Sequence, residues 1–408
     1  MSATMELQTD AKRWAPKYPH LGTGPVPIEP CISPEYFERE RRYIFRRTWL
    51  NVGRVEEIPN AGDYFVRDIA VAGASVIVAR GQDGKVRAFH NVCSHRGNRM
   101  VWDQTGNCNG FTCSFHAWGY GLDGALRTVP DESQFHDLKK EVLGLTRVAL
   151  DMWEGFIFIN LDPEPRQSLG EFLGDFGEGL SGWPFGQKTT CYSWRLEVKC
   201  NWKVAMGAFQ ESYHVPFVHR RTVPDSAAGP HNRFARPVGI QLFPQHQVLS
   251  IYANRNTRLN PVDEIVARHG PGYRKREVTG GPLPPGVNPG RSADWGFDLD
   301  TIFPNFIMIL WGNGMYVTYN FWPLAVDRFL YEVRLYNRKP EKPGEKFAHE
   351  YNRVVLRTAL AEDLSTLERI QPALESGAKR YFIFQDNEIG VRHHLKVIDD
   401  AVRSGEGT

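Results

Sequence analysis

The chain has 408 residues, enough for two domains or for one large domain with a satellite. Lys and Arg number 49 against 47 Asp and Glu, and the resulting net charge of +2 excludes the strongly basic face that a nucleic-acid partner requires. Residues 1–14 are polar and mixed in charge, with no apolar signal-peptide core, and no apolar run is long enough to span a bilayer; a cytoplasmic protein without a membrane partner is expected.

The first element predicted in chain order is a helix over 34–49. Ser33 is suited to the N-cap and Pro34 to the first helical position, where a missing N–H costs nothing. Phe37 and Ile44 then fall two turns apart on one face. Beyond Trp49 the pattern changes to short alternating runs. Strands are predicted at 64–68, 75–79, 86–89 and 156–161, with Gly81-Gln82-Asp83-Gly84 as a hairpin turn. Residues 45–163 thus read as a small all-β domain. Residues 1–44 read as a helical N-terminal segment packing on the larger domain, 164–408.

Two mixed knuckles lie within the β domain, Cys93-Ser94-His95-Arg96-Gly97 and Cys113-Ser114-Phe115-His116. Each offers one thiolate and one imidazole. A structural zinc site usually draws two cysteines from one knuckle, whereas one Cys plus one His per loop suits a [2Fe–2S] cluster of the Rieske kind. There one iron takes Cys93 and Cys113 and the other takes His95 and His116. Zinc is the alternative that these ligand types leave open. The other four cysteines, Cys31, Cys108, Cys191 and Cys200, have no paired spacing and read as free thiols in a reducing compartment. The arginines at 41, 42, 46 and 47 read as a solvated helix face, or as a seat for an acidic partner.

The larger domain reads as mixed, with strands at 194–198, 305–311, 316–321 and 329–335. Residues 255–295, rich in Gly, Pro, Arg and Asn, read as a long excursion, mobile or folded over a cavity. Leu356, Leu360, Leu367 and Ile370 recur at helical spacing, with Pro372 and Gly377 expected to end the helix. His214 and His219 are five residues apart, about 140° on an ideal helix, so their rings would diverge. Pro216 between them is expected to break or kink that helix and let the rings converge. Two histidines alone signal little. Asp363, however, occupies a core-facing position of the late apolar stripe, and a buried carboxylate needs a partner. That partner is either an Arg such as Arg357 or Arg369, or a metal. Two histidines and one carboxylate form the facial triad of a non-haem Fe(II) site with positions open for O₂. Met206, Phe209, Phe217, Met308 and Leu310, with Phe306, Ile307 and Trp311, are candidates for lining an apolar pocket. Gly312-x-Gly314 lacks the rest of a dinucleotide fingerprint, so NAD(P)H is expected to act only through another protein.

The pattern Cys93-x-His95-Arg96-Gly97 … Cys113-x-x-His116-x-Trp118, followed by Asn201-Trp202-Lys203, Glu211-x-Tyr213-His214-x₄-His219 and Glu362-Asp363, resembles the α subunits of Rieske non-haem iron aromatic-ring-hydroxylating oxygenases. The resemblance runs in order over roughly 35–380. It implies an α+β protein: a small all-β Rieske domain, then a larger helix-grip catalytic domain with an antiparallel sheet and C-terminal helices. It implies Cys93, His95, Cys113 and His116 as ligands of one [2Fe–2S] cluster per chain. It also implies His214, His219 and Asp363 as ligands of one Fe(II), with O₂ as co-substrate. Glu211, three residues before the first iron histidine, would be the bridge that passes electrons from a cluster histidine to an iron histidine. The implied activity is an oxygenase acting in aromatic hydrocarbon catabolism on an aromatic or other apolar ring. The alternative is a monooxygenase acting on a quaternary ammonium compound or performing O- or N-dealkylation, because Glu-x-Tyr-His also resembles choline- and carnitine-type enzymes. A ferredoxin, a flavin reductase or both would supply electrons, and the assembly would be a homotrimer or α3β3. Three positions depart from the common family pattern: Glu211 for Asp, Cys113-Ser114 for Cys-Pro, and Gly207 where some members carry Asn.

Overall fold

The computed structural model describes residues 13–223, 225–270, 282–312 and 315–406. The chain divides into two compact units. One comprises Arg41–Phe172; the other comprises the residues up to Glu40 together with those from Leu173 onward.

The Arg41–Phe172 unit is built on an antiparallel seven-stranded sheet, ordered Leu50–Arg54, Phe156–Asn160, Arg147–Trp153, Val86–His90, Ala74–Arg80, Asp63–Ile69 and Thr105–Asn107. Phe156-Ile157-Phe158-Ile159 is an unbroken apolar run because both faces of that strand are buried. The hairpin turn forms as expected. Gly84 sits at φ +76°, a conformation that favours glycine, and Gly81 N–H closes the turn on the Lys85 carbonyl at 2.9 Å. A second, three-stranded sheet of Gly110–Thr112, Gly119–Gly121 and Leu126–Thr128 carries the second knuckle. One core contains Val66, Ile77, Phe89, Phe111, Trp118 and Tyr120 together with Cys93 and Cys113.

The helix predicted over 34–49 is shorter. A regular α-helix covers Pro34–Glu40, the Ser33 hydroxyl accepts the Tyr36 N–H at 3.1 Å, and Arg41–Phe45 widens into a π turn. The Tyr43 ring in that turn is flanked by the Arg42 and Arg47 guanidinium groups at 5.3 and 5.5 Å. Arg41 Nε donates to the Val71 carbonyl at 2.7 Å.

The other unit centres on a seven-stranded antiparallel sheet. Its order is Thr190–Val198, Arg328–Asn337, Tyr316–Ala325, Phe306–Trp311, Trp295–Ile302, Gln247–Tyr252 and Gly239–Leu242. Every residue of Phe306–Trp311 is buried, since both faces of the sheet are covered. The late helix is long, Pro343–Glu375, and buries one stripe that includes Asn352, Leu356, Leu360, Asp363 and Leu367. Pro372 does not end it. The proline lies in the last turn and forgoes only its own backbone bond, and the chain leaves the helix at Gly377, φ +71°. Within 255–295 there is a helix, Pro261–His269, capped by the Asn260 side chain on Asp263 N–H at 2.9 Å; residues 271–281 of that predicted excursion lie outside the described residues. The strand Trp295–Ile302 begins where the excursion was expected to end. The N-terminal helix is tied to this unit by a buried ion pair, Glu40 Oε1 to Lys203 Nζ at 2.6 Å, and Trp202 Nε1 donates to the other carboxylate oxygen at 3.1 Å. No helix among the described residues is long and apolar enough to cross a membrane.

Candidate active site and metal centres

The two knuckles come together at one end of the Arg41–Phe172 unit. Each is closed by its own backbone bonds. Gly97 N–H bonds to the Cys93 carbonyl at 3.0 Å, Ala117 N–H to the Cys113 carbonyl at 2.9 Å, and Cys113 N–H to the Trp118 carbonyl at 2.9 Å. The thiols of Cys93 and Cys113 are buried, whereas His95 is half-buried and His116 exposed. The His95 and His116 rings lie 4.7 Å apart, and His95 stacks on Trp118 at 4.8 Å and 9°. Tyr120 OH is 3.3 Å from Cys93 Sγ, and Asn98 Nδ2 is 3.6 Å from Cys113 Sγ. Burial pushes the Cys113 thiol up, but N–H groups of Phe115 and His116 and the Asn98 amide outweigh it, so the net effect lowers the pKa and favours the thiolate. Two inner thiolates with hydrogen-bond donors and two outer imidazoles form a donor set that fits a [2Fe–2S] cluster with one thiolate-bound and one imidazole-bound iron. Cys31, Cys108, Cys191 and Cys200 form no disulfide among the described residues, and the third of them is exposed.

In the other unit the helix Trp202–Gly207 is capped by Asn201, whose side chain accepts Lys203 N–H at 3.0 Å. The chain then passes through tight turns to Val215–Val218, a four-residue helix. His214 is its N-cap and His219 its C-cap. Pro216 therefore opens a helix rather than breaking one; it stands in the first turn, where its lost N–H has no partner to miss. The two rings converge because they leave opposite ends of this single turn, with centroids 5.2 Å apart.

Asp363 faces both from the long helix. Its Oδ1 lies 3.0 Å from His219 Nε2 and 3.6 Å from His214 Nε2, and the three donor atoms all fall within 4.8 Å of one another. Each Nδ1 is engaged elsewhere. That of His214 contacts Glu211 Oε1, and that of His219 lies 2.9 Å from Glu362 Oε2. Glu362 also accepts the Thr222 hydroxyl at 2.7 Å. Burial would depress the His214 imidazolium, but the Glu211 and Asp363 carboxylates prevail and raise its pKa. His219 is raised in the same way by Asp363 and Glu362 against burial. Carboxylates on both Nδ1 atoms leave both Nε2 atoms directed at Asp363, a donor set that fits one mononuclear iron with a fixed tautomer on each ring. Glu362 and Thr222 carry no role in the sequence reading; a Glu one residue before a core-facing Asp has no spacing that announces it.

Beside the triad is a cavity of about 150 Å³. Its walls include Phe209, Ile309, Trp311 and Tyr319, and the late helix contributes Leu360 and Leu356, one and two turns before Asp363. Of the eight pocket candidates Phe209 and Trp311 are there, and Phe306 and Ile307 are not among the lining residues. Met308 and Leu310 alternate with Ile309 and Trp311 along one strand and face the other side of the sheet. Met206 is fully buried away from the cavity, and Phe217 is exposed. The described lining holds the acids Glu211 and Asp363 and the two triad histidines, with no Lys or Arg.

Residues 48–145 match the family model of the Rieske [2Fe-2S] domain, and residues 185–404 match that of the ring hydroxylating alpha subunit (catalytic domain). The second match covers more than half of the chain. The chain belongs to the ring-hydroxylating α-subunit family. It is 38% identical over 192 residues to the large oxygenase component of the naphthalene 1,2-dioxygenase system of Pseudomonas aeruginosa. That match spans 45% of this chain and 42%, less than half, of the relative. It is 31% identical over 195 residues to the carnitine monooxygenase oxygenase subunit of Escherichia coli (strain K12), across 48% of this chain and 52% of that one. Two solved structures share the fold. A quaternary ammonium Rieske monooxygenase aligns with TM-score 0.74 and 21% identity over 94% of this chain and 97% of that one. Naphthalene 1,2-dioxygenase from Rhodococcus sp., bound to indole, aligns with TM-score 0.73 and 21% identity over 93% and 94%.

Proposed function

We propose that this chain is the terminal oxygenase component of an electron-transfer system, and that it oxidises an apolar, ring-shaped substrate with O₂. Cys93, His95, Cys113 and His116 hold the [2Fe–2S] cluster; His214, His219 and Asp363 hold Fe(II). When bound, these groups supply the reductive activation of dioxygen. Dihydroxylation of a ring and monohydroxylation with release of water each consume one O₂, two electrons and two protons, so the substrate decides which occurs. The chain's own residues fix the geometry. Glu211 orients His214 through Nδ1 and offers its carboxylate to a cluster histidine of a neighbouring copy, and Glu362 orients His219.

The observation that carries the substrate reading is the wall of the cavity beside the triad. Phe209, Ile309, Trp311, Leu356 and Leu360 offer an apolar surface, and no Arg or Lys is present among the described lining residues to meet a substrate carboxylate. A volume of about 150 Å³ suits a single aromatic ring. A trimethylammonium group is the competing occupant, since Phe297 and Trp311 lie 5.2 Å apart at 38° and could flank a cation.

The electron donor is a ferredoxin, a flavin reductase or both, and the working assembly is a trimer of this chain, alone or with a second subunit. In support of a trimer, each unit exposes aromatic rings next to its metal-centre residues. Phe115, beside His116, is 54% exposed and lies under Arg96 at 5.3 Å. Tyr213 and Phe217, beside Glu211 and His214, are 43% and 55% exposed. The test is O₂ uptake by the iron-loaded protein with a surrogate reductase across a panel of aromatic hydrocarbons and trimethylammonium compounds. Uptake coupled to product formation on the hydrocarbons is expected. Coupling on the ammonium compounds alone would replace this substrate with the competing one.

A further inference from the structure

A second cavity, of about 240 Å³, also borders the triad. The two share Ala208, Glu211, His214 and Asp363 as walls, whereas His219 lines only the first. The remaining surface of the second cavity is largely hydrocarbon, including Val204, Leu367, Ile370, Val391 and the stacked pair Phe382 and Phe384 at 5.6 Å and 21°. Its charged neighbours are engaged with protein. Lys203 Nζ pairs with Glu40 at 2.6 Å, and Glu388 accepts Gln385 N–H at 2.8 Å. Such a space favours a small apolar guest over water or an ion.

Gly207 lines this cavity, one residue before Ala208, a wall of both cavities. It is the last residue of the helix Trp202–Gly207, and glycine in a helix costs stability relative to alanine. Packing does not demand it. A Cβ built there meets only Val391 Cγ1, at 3.4 Å, which is ordinary contact. A larger side chain at 207 would instead project into the cavity.

We propose that the second cavity is a dioxygen-binding site and access path, kept open by Gly207, that reaches the His214–Asp363 edge of the triad while substrate fills the first cavity. The inference rests on the oxygenase reading above. It explains how a substrate seated against the triad need not bar the second reactant.

The test uses the iron-loaded full chain. Xenon, an apolar probe of similar size to O₂, is applied under pressure to crystals, and steady-state turnover is measured against O₂ concentration for the wild type, Gly207→Val and Val204→Phe. Xenon is expected in the second cavity of the wild type. The two variants narrow the cavity from different positions, so one can stand in if the other does not fold. At unchanged iron content they are expected to raise KM for O₂ about tenfold while leaving KM for the ring substrate near its original value. Ordered water in place of xenon would overturn the proposal, whatever the protein turns over. So would variants with intact iron and an unchanged KM for O₂. A wild-type holoenzyme that consumes no O₂ on any substrate would instead overturn the oxygenase reading, leaving the xenon result to decide the site.

Discussion

Each triad imidazole has a carboxylate at its Nδ1, and the two carboxylates do different work. Glu362 is anchored inside its own neighbourhood by Thr222, so its effect is confined to the tautomer and orientation of His219. Glu362→Ala should weaken Fe(II) binding about 10–100-fold, read by equilibrium dialysis, while Glu362→Gln, which can still accept the Nδ1 proton, should recover much of it. Glu211 sits at the His214 side and also accepts the N–H of His214 at 3.2 Å. Glu211→Gln should keep both metal centres loaded yet slow electron delivery on the order of a hundredfold, read by single-turnover reoxidation of the cluster. Metal loss in that variant would assign Glu211 to the iron site alone. The residues proposed as ligands stood out in the sequence because each knuckle is a short motif of metal-binding residue types, and the His214/His219 pair because Asp363 accompanies it. Glu362 stood in the sequence pattern without a role, because only the folded distance of 2.9 Å to His219 reveals one.

At the scale of elements, the strand Trp295–Ile302 shows what alternation does and does not disclose. Phe297 and Leu299 face the cavity beside the triad, while Asp298 and Asp300 face the opposite side of the sheet, fully buried. Asp298 accepts from Ser250 Oγ at 2.6 Å, Asn288 N–H at 2.6 Å and Trp295 Nε1 at 2.8 Å. Neither carboxylate oxygen of Asp300 has a hydrogen-bond partner among the described residues. Burial pushes Asp298 up to about 6, and burial with the Asp298 charge pushes Asp300 well above the ordinary range. With its three donors, Asp298 is the better anion, and Asp300 holds the proton. A carboxyl whose folded pKa exceeds its unfolded value near 3.8 contributes stability that is complete below that value and lost as pH rises through the folded pKa. Asp300→Asn, which carries no charge to lose, should raise the thermal midpoint at pH 8 relative to the wild type, at about 2–4 °C per kcal/mol, and close the gap near pH 4. A constant difference across that range would remove Asp300 from the pH dependence. Periodicity located Phe306–Trp311 but could not say which face meets the cavity: of the candidates on that strand Trp311 lines it and Met308 and Leu310 do not, while Ile309, which carried no role in the sequence, does. The prolines misled for a related reason. A proline's effect depends on its position within the helix, and Pro216 in a first turn and Pro372 in a last turn both sit where the missing bond costs little.

For the whole molecule, the division into an all-β unit with two knuckles and a larger sheet-and-helix unit with the triad follows from features close together in the chain. Continuous apolar runs such as Phe156–Ile159 mark buried strands, and the Leu356, Leu360 and Asp363 stripe marks the helix that brings the proposed third ligand. The cavity walls were beyond reach because they gather side chains from separate strands and helices whose register only tertiary packing decides. Everything proposed for this chain depends on one polypeptide holding an inorganic cluster and a separate mononuclear iron. Iron and acid-labile sulfide, measured per chain after anaerobic reconstitution of the wild type and of His214→Ala, test this directly. The account predicts about three irons and two sulfides in the wild type, with the variant losing one iron and no sulfide. A wild type holding only the two cluster irons, or holding zinc without sulfide, would contradict it.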